Sequence, residues 1–223
     1  MSSHDIPLTG TGPRRSTVES ISLPMDPTSG LADQLRDHTR AWHRQAERSG
    51  IVHELLNGRA YQQLERALEQ HRDSPGVRHV ASPETYRAAA LEADLDSLCG
   101  PRWQTSLPLL RPARDYAEQI ADAANGDGVR LIGHAYVRYL GDLNGGRILR
   151  QCLMRSPGLQ PEALTFCAFP DIHDLQHLKV AYRAGFDQAA GDISDLRSVI
   201  EEALTAFRLN VELSESVAAQ QAS

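Results

Sequence analysis

Apolar residues recur every three or four positions along most of this chain, and no β-branched run alternates with the period of a strand. Leu31, Leu35, Trp42, Ala46 and Val52 share helical spacing, which predicts a helix from Leu31 that stops at Asn57-Gly58. A second predicted helix covers 61–73 and ends before Ser74-Pro75-Gly76. Ser82-Pro83-Glu84 reads as an N-cap, a first-turn proline and an acidic first turn, and starts a helix that reaches Leu98. Further helices are predicted over 111–126, 128–154 and 174–189. Ser194 caps a long last one, with Leu196, Val199, Ile200, Ala203, Leu204, Phe207 and Val211 on one stripe. The reading is an all-α fold of seven or eight helices in a single domain over 31–217. Residues 1–30, rich in Ser, Thr, Pro and Gly, read as a disordered leader, and 218–223 as a flexible tail.

Composition narrows the class. The 223 residues are 41% hydrophobic and 23% charged, the balance of a soluble globular chain. A net charge of −6 gives no overall attraction to nucleic acid or anionic lipid. Lys179 is the single lysine among 23 basic residues. Cys99, Cys152 and Cys167 form no C-x-x-C pair and no haem-attachment motif, which suits a reducing compartment. No apolar run reaches membrane-spanning length, and no apolar segment follows Arg14-Arg15. A cytoplasmic monomer is the expectation.

One stretch departs from ordinary helix composition. "YVRYLGDLNGGRILR", residues 136–150, has helical apolar spacing but carries Gly141, Gly145 and Gly146. Each glycine costs about 1 kcal/mol relative to Ala in a helix interior. Gly141 and Gly145 lie one turn apart on the same face, flanked by Arg138, Asp142 and Leu149. Two readings follow. Small residues permit close helix packing or a kink at Gly145-Gly146. Alternatively, a flat ligand lies over bare backbone, with Asp142 holding a water near the reacting atoms. Arg138 is also an i,i+4 partner for Asp142.

The segment "YVRYLGDLNGG" closely resembles the distal-helix signature of the haem oxygenases, usually Y-x-R-Y-L-G-D-L-S-G-G, with Asn144 in the serine position. "WHRQAE" (42–47) is similar to the family's proximal haem-ligand segment. "FPDI" (169–172), "LKVAYRAGF" (178–186) and "VIEEALTAFRLNVEL" (199–213) resemble its C-terminal third. The likeness covers most of 31–217. Spacing alone hardly separates His38, His43 and His53 as ligands, although Glu47 at i+4 is placed to orient the His43 ring. The resemblance implies His43 as the iron ligand and Glu47 as its carboxylate partner.

Lys179, Tyr182 and Arg183 stand at i, i+3 and i+4, one face with two charges and a hydroxyl. The resemblance makes Arg36, Tyr136, Lys179 and Arg183 the clamp on the haem propionates. It makes Phe207 and Asn210 part of the distal wall and its water network. By the same likeness haem is both cofactor and substrate. The bare backbone at Gly141 and Gly145 then admits the haem edge and O2, and Asp142 and Arg138 serve the chemistry. The products would be biliverdin, CO and iron. No Rossmann glycine fingerprint or cysteine cluster is present, which implies electrons from a ferredoxin or flavoprotein reductase.

The chain departs from the family in one place. Family members carry a further helical stretch between "LLNGRA" (55–60) and "YQQLERALE" (61–69), which here join directly. That departure keeps a second reading open, a haem-binding carrier or sensor without turnover. A di-iron oxidase ranks third, because it needs Glu-x-x-His pairs on facing helices.

Overall fold

The computed structural model describes residues 29–46, 58–106, 109–154, 161–170 and 172–221. Side chains of 40–46 are outside this description, as are all of 47–57 and residues 1–28 of the expected leader over 1–30. Among the described residues the structure is helical throughout and has no strand.

In chain order the helices are α1 (Leu31–Ala46), α2 (Gly58–Gln70), α3 (Ala88–Cys99), α4 (Trp103–Ser106) and α5 (Arg111–Ala123). A run without interruption follows: α6 (Leu131–Ala135), a π-helical turn (Tyr136–Leu140) and α7 (Gly141–Leu153). The chain closes with α8 (Leu175–Asp192) and α9 (Leu196–Gln221). Helix α9 packs against α1, α5 and α6, while α2 packs against α5 and α3, and α1 against α8. The apolar stripes explain these contacts. Tyr61, Leu64 and Leu68 of α2 are fully buried, as are Tyr116 and Ile120 of α5, and Val199, Ile200 and Ala203 of α9.

Several helix ends differ from the sequence expectation. Gly58 is not a stop; it is the first, buried residue of α2. Ser82 does not cap a helix, since Pro83–Thr85 forms only a 3-10 turn and α3 starts at Ala88. The cap comes instead from a distant helix: Glu65 Oε1 accepts from the backbone N–H groups of Arg87 at 2.6 Å and Ala88 at 2.8 Å. Only tertiary structure can bring that carboxylate to the orphan donors. Asp195 rather than Ser194 caps α9, accepting from Ser198 N at 3.0 Å.

The α6–α9 contact is unusually close. A Cβ on Gly133 would stand 2.7 Å from the Val199 carbonyl oxygen and 2.8 Å from Ala203 N. Any side chain at 133 would therefore push α6 off the backbone of α9. This seat fixes the start of the helical run that carries the glycines.

Candidate active site

The anomaly in the glycine helix lies one turn earlier than the sequence suggests. Helix α7 runs unbroken through Gly145 and Gly146. The irregularity is the π turn over Tyr136–Leu140, all five residues of which are buried. Such a turn inserts an extra residue and re-aims the side chains that follow.

The three glycines divide into two kinds. A Cβ on Gly146 would stand 3.1 Å from the Cys167 carbonyl oxygen, so this glycine serves packing. At Gly141 and Gly145 no described atom lies within 4 Å of an added Cβ. These two expose backbone on one face of α7. Close packing thus belongs to Gly146, and the ligand reading concerns Gly141 and Gly145 alone.

Asp142, between them, is held from below. The Tyr61 hydroxyl donates to both its oxygens, at 2.8 and 3.0 Å. The Tyr61 ring in turn lies under Arg138, whose guanidinium carbon is 4.3 Å from the ring centroid. Arg138 is buried and donates from Nη1 to Asn210 Oδ1 at 2.7 Å. Asn210 and Phe207 stand one turn apart on α9, both buried. Burial lowers the affinity of the Arg87 guanidinium for its proton, while the nearby Asp142 charge favours its cationic form. Asp142 and Arg138, named from sequence, thus meet at Tyr61, which sequence reasoning did not single out, and Asn210 joins them through Arg138.

A second group forms where α1 meets α8. Asp33 Oδ1 accepts from Arg36 and from Arg183, each at 2.7 Å. Both guanidiniums are half-exposed. Tyr136 reaches the same place from the π turn, with its hydroxyl against the Thr39 side chain. Burial raises its phenol above the usual range; the Thr39 contact and the Arg183 and Arg36 charges work the other way. Lys179 stands one turn before Arg183 on α8, half-buried, and among the described residues it makes no ion pair. Tyr182 does not join this cationic face. It turns inward, donates to the Val80 carbonyl at 3.2 Å and stacks edge-on against Phe186. The i, i+3, i+4 pattern could not register that a tyrosine on this helix serves the core.

His43 lies in the last turn of α1 by its backbone, and its side chain is outside the described residues, as is the whole of Glu47. Among the described residues no three His, Cys, Asp or Glu side chains converge as a di-iron centre requires. None of the described helices is long and apolar enough to cross a membrane.

A family model described as heme oxygenase matches residues 29–216. The chain belongs to the heme oxygenase family. Among curated relatives, heme oxygenase 1 of Pongo abelii is 33% identical over 88% of this chain and 73% of its own length. Heme oxygenase 1 of Synechocystis is 29% identical over 82% of each. The crystal structure of Synechocystis heme oxygenase-1 in complex with heme superposes with a TM-score of 0.76, at 28% identity, over 86% of this chain and 94% of that one. Heme oxygenase from Leptospira interrogans gives 0.73 at 28% identity, over 84% and 100%.

This haem oxygenase also contains a buried polar cluster that the sequence concealed. Glu202 falls within the apolar stripe of α9, where periodicity favours a hydrophobic residue. Its Oε1 is bonded to His134 Nε2 at 2.9 Å and accepts from Gln119 at 2.9 Å; its Oε2 accepts from Arg130 at 3.2 Å. Burial pushes the Glu202 carboxyl up, but His134, Gln119 and Arg130 outweigh it and hold the group below its ordinary range. The cluster joins α5, α6 and α9 one turn from Arg138. The one sequence signal was an acidic residue on the buried side of a helix.

Proposed function

We propose that this haem oxygenase holds haem over the bare backbone of Gly141 and Gly145 and degrades it with O2 and external electrons to biliverdin, CO and iron. The observation that carries the reading is the open glycine face flanked by Asp142, in a chain of this family. The described residues fit the ligand on both counts. A flat macrocycle needs backbone free of side chains, which Gly141 and Gly145 leave. Its two carboxylates need cations, which Arg36, Lys179 and Arg183 provide beside the Tyr136 hydroxyl.

Haem, when bound, supplies the iron that takes up O2 and the ring that is oxidised. His43 is the proposed iron ligand and Glu47 the carboxylate that fixes its tautomer. Asp142, fixed by Tyr61, orients water above the glycine face and moves protons there. Arg138 and Asn210 lock the π turn, so the height of that face is set by α9. Phe207 closes the apolar wall. Arg36, Tyr136, Lys179 and Arg183 fix which edge of the ring meets the glycines. A ferredoxin or flavoprotein reductase is the proposed electron donor, and a cytoplasmic monomer the proposed form.

Haem titration followed by a single turnover with ascorbate or ferredoxin tests this reading. Wild-type protein is expected to lose its Soret band and release CO, and His43→Ala to change the Soret spectrum and stop turnover. An unchanged spectrum and rate in His43→Ala overturns the ligand assignment. Tight one-to-one binding without CO release would favour a carrier or sensor, a reading supported by the direct joining of the chain near residue 60.

A further inference from the structure

Three of the six tyrosines lead away from Asp142 in ring-to-ring contact. The centroids of Tyr61 and Tyr139 are 6.3 Å apart, and those of Tyr139 and Tyr86 are 6.0 Å apart. These are the separations of packed aromatic pairs. Tyr61 and Tyr139 are fully buried, whereas Tyr86 is half-buried at the outer end.

Charge is graded along the row. The Arg138 cation above the Tyr61 ring makes an electron harder to remove there. At Tyr86 the hydroxyl donates to Glu69 Oε1 at 2.8 Å, and a carboxylate at the hydroxyl makes removal easier. Burial, the Glu69 bond and the Glu69 and Glu65 charges all raise the Tyr86 phenol, while Arg72 opposes them. Arg72 pairs with Glu69 on the exposed side, where water screens it. At Tyr61 the Asp142 carboxylate that accepts from the hydroxyl is offset by Arg138 over the ring and by the neighbouring Arg87, whereas Glu69 and Glu65 leave Tyr86 on the negative side. A positive hole is therefore better stabilised at Tyr86 than at Tyr61.

Proton chemistry allows every step of the row. A tyrosine that gives up an electron also releases its phenolic proton, so it needs a base within hydrogen-bond reach. Asp142 serves Tyr61, Glu65 serves Tyr139 and Glu69 serves Tyr86. The other ring against Tyr139 is Tyr182, at 6.2 Å, whose hydroxyl donates to the Val80 backbone carbonyl, which does not accept a proton. That branch is closed.

We propose that Tyr61, Tyr139 and Tyr86 form a hole-transfer chain that carries stray oxidising equivalents from the haem site to the surface at Tyr86 and Glu69. The proposal rests on the placement of haem beside Asp142 given above. The oxidant is hydrogen peroxide, which takes two electrons and two protons to become two waters. Each electron leaves Tyr61, which is refilled from Tyr139, and Tyr139 from Tyr86. The Tyr86 proton passes to Glu69. For each of the two electrons, one reductant of the ascorbate class restores Tyr86, which recovers its proton from Glu69; the two protons that peroxide takes up are those the two reductant molecules release to solvent on oxidation.

The haem complex treated with hydrogen peroxide and a nitroso spin trap tests the chain, read by electron paramagnetic resonance and by peptide mass spectrometry. The wild-type adduct is expected mainly on Tyr86. Tyr86→Phe should move it inward to Tyr139 and Tyr61 and speed peroxide bleaching of bound haem several-fold. Glu69→Gln should lower the Tyr86 adduct with the ring intact. If Tyr139→Phe folds, it should strand the radical at Tyr61; otherwise the two outer variants decide. An adduct that stays on Trp103 or Tyr116 in all variants overturns the proposal. A second arm needs no haem: azide radicals generated by pulse radiolysis in the free protein should leave the tyrosyl radical on Tyr86. Failure of this arm alone overturns the electrostatic gradient. Failure to bind haem, with this arm intact, overturns the functional reading and confines the chain to a radical sink.

Discussion

The Tyr61 hydroxyl grips both oxygens of Asp142, at 2.8 and 3.0 Å, from a helix 81 residues earlier in the chain. This contact ties α2 to the glycine helix and fixes the carboxylate to which we assign the proton chemistry. Tyr61→Phe removes it without changing ring packing. Asp142 is half-buried and regains water, so unfolding free energy should fall by only about 1 kcal/mol. Haem degradation should slow about tenfold, the effect of about 1.4 kcal/mol on a barrier. Urea unfolding and single-turnover rates measure the two separately. A variant that loses stability but keeps its rate would remove Asp142 positioning from the mechanism.

The glycines should separate stability from activity. Gly141→Ala and Gly145→Ala meet no described atom, so each should gain up to about 1 kcal/mol in helix propensity. Both should lose haem-degrading activity, because the methyl group occupies the open face. Gly146→Ala should instead gain nothing or lose up to about 2 kcal/mol, as its Cβ presses on the Cys167 carbonyl and offsets the same propensity gain. Thermal unfolding of the three variants beside their turnover rates checks the ordering. A stabilised, fully active Gly141→Ala would sink the ligand role of that face.

Arg138 and Asn210 should be energetically coupled. Their 2.7 Å bond is charge-assisted and buried, so Asn210→Ala should cost about 1.5–3 kcal/mol. A double-mutant cycle with Arg138→Met isolates the pair. Additive losses would show that the bond does not hold the π turn against α9.

Helical periodicity carried the all-α fold and most element positions, because burial on one stripe is a local signal. It failed where a partner comes from far along the chain. Glu65 caps α3, so the local Ser82-Pro83-Glu84 signature was outcompeted. Tyr61 carried no signal beyond its place at the start of a predicted helix; only the fold brings its hydroxyl to Asp142. The glycine motif pointed to the family but could not divide its glycines, since Gly146 differs from Gly141 only in what stands opposite. The π turn left no signature in apolar spacing, as one inserted residue shifts a period of three or four by less than its own scatter. Glu202 was hidden by its place in an apolar stripe, where its partners Gln119, Arg130 and His134 come from other elements.

That Glu202 cluster predicts a pH dependence. Burial alone would raise its carboxyl, but the bonds from His134, Gln119 and Arg130 bring it net below its ordinary value of 4.5. The unfolded chain therefore binds the Glu202 proton more tightly than the folded one does. The stabilisation is full above about pH 4.5 and is lost as pH falls through the lower folded value. Glu202→Gln keeps the shape and removes the charge. Wild type should exceed it in stability near neutrality, and the gap should close progressively in acid. Urea unfolding of both proteins across that range measures the gap directly. A gap that stays constant from neutral pH into the acid range would mean that shape, and not charge, holds α5, α6 and α9 together. A gap that closes would place acid sensitivity at the cluster one turn from Arg138, so that the π turn and its glycine face loosen first as the pH drops.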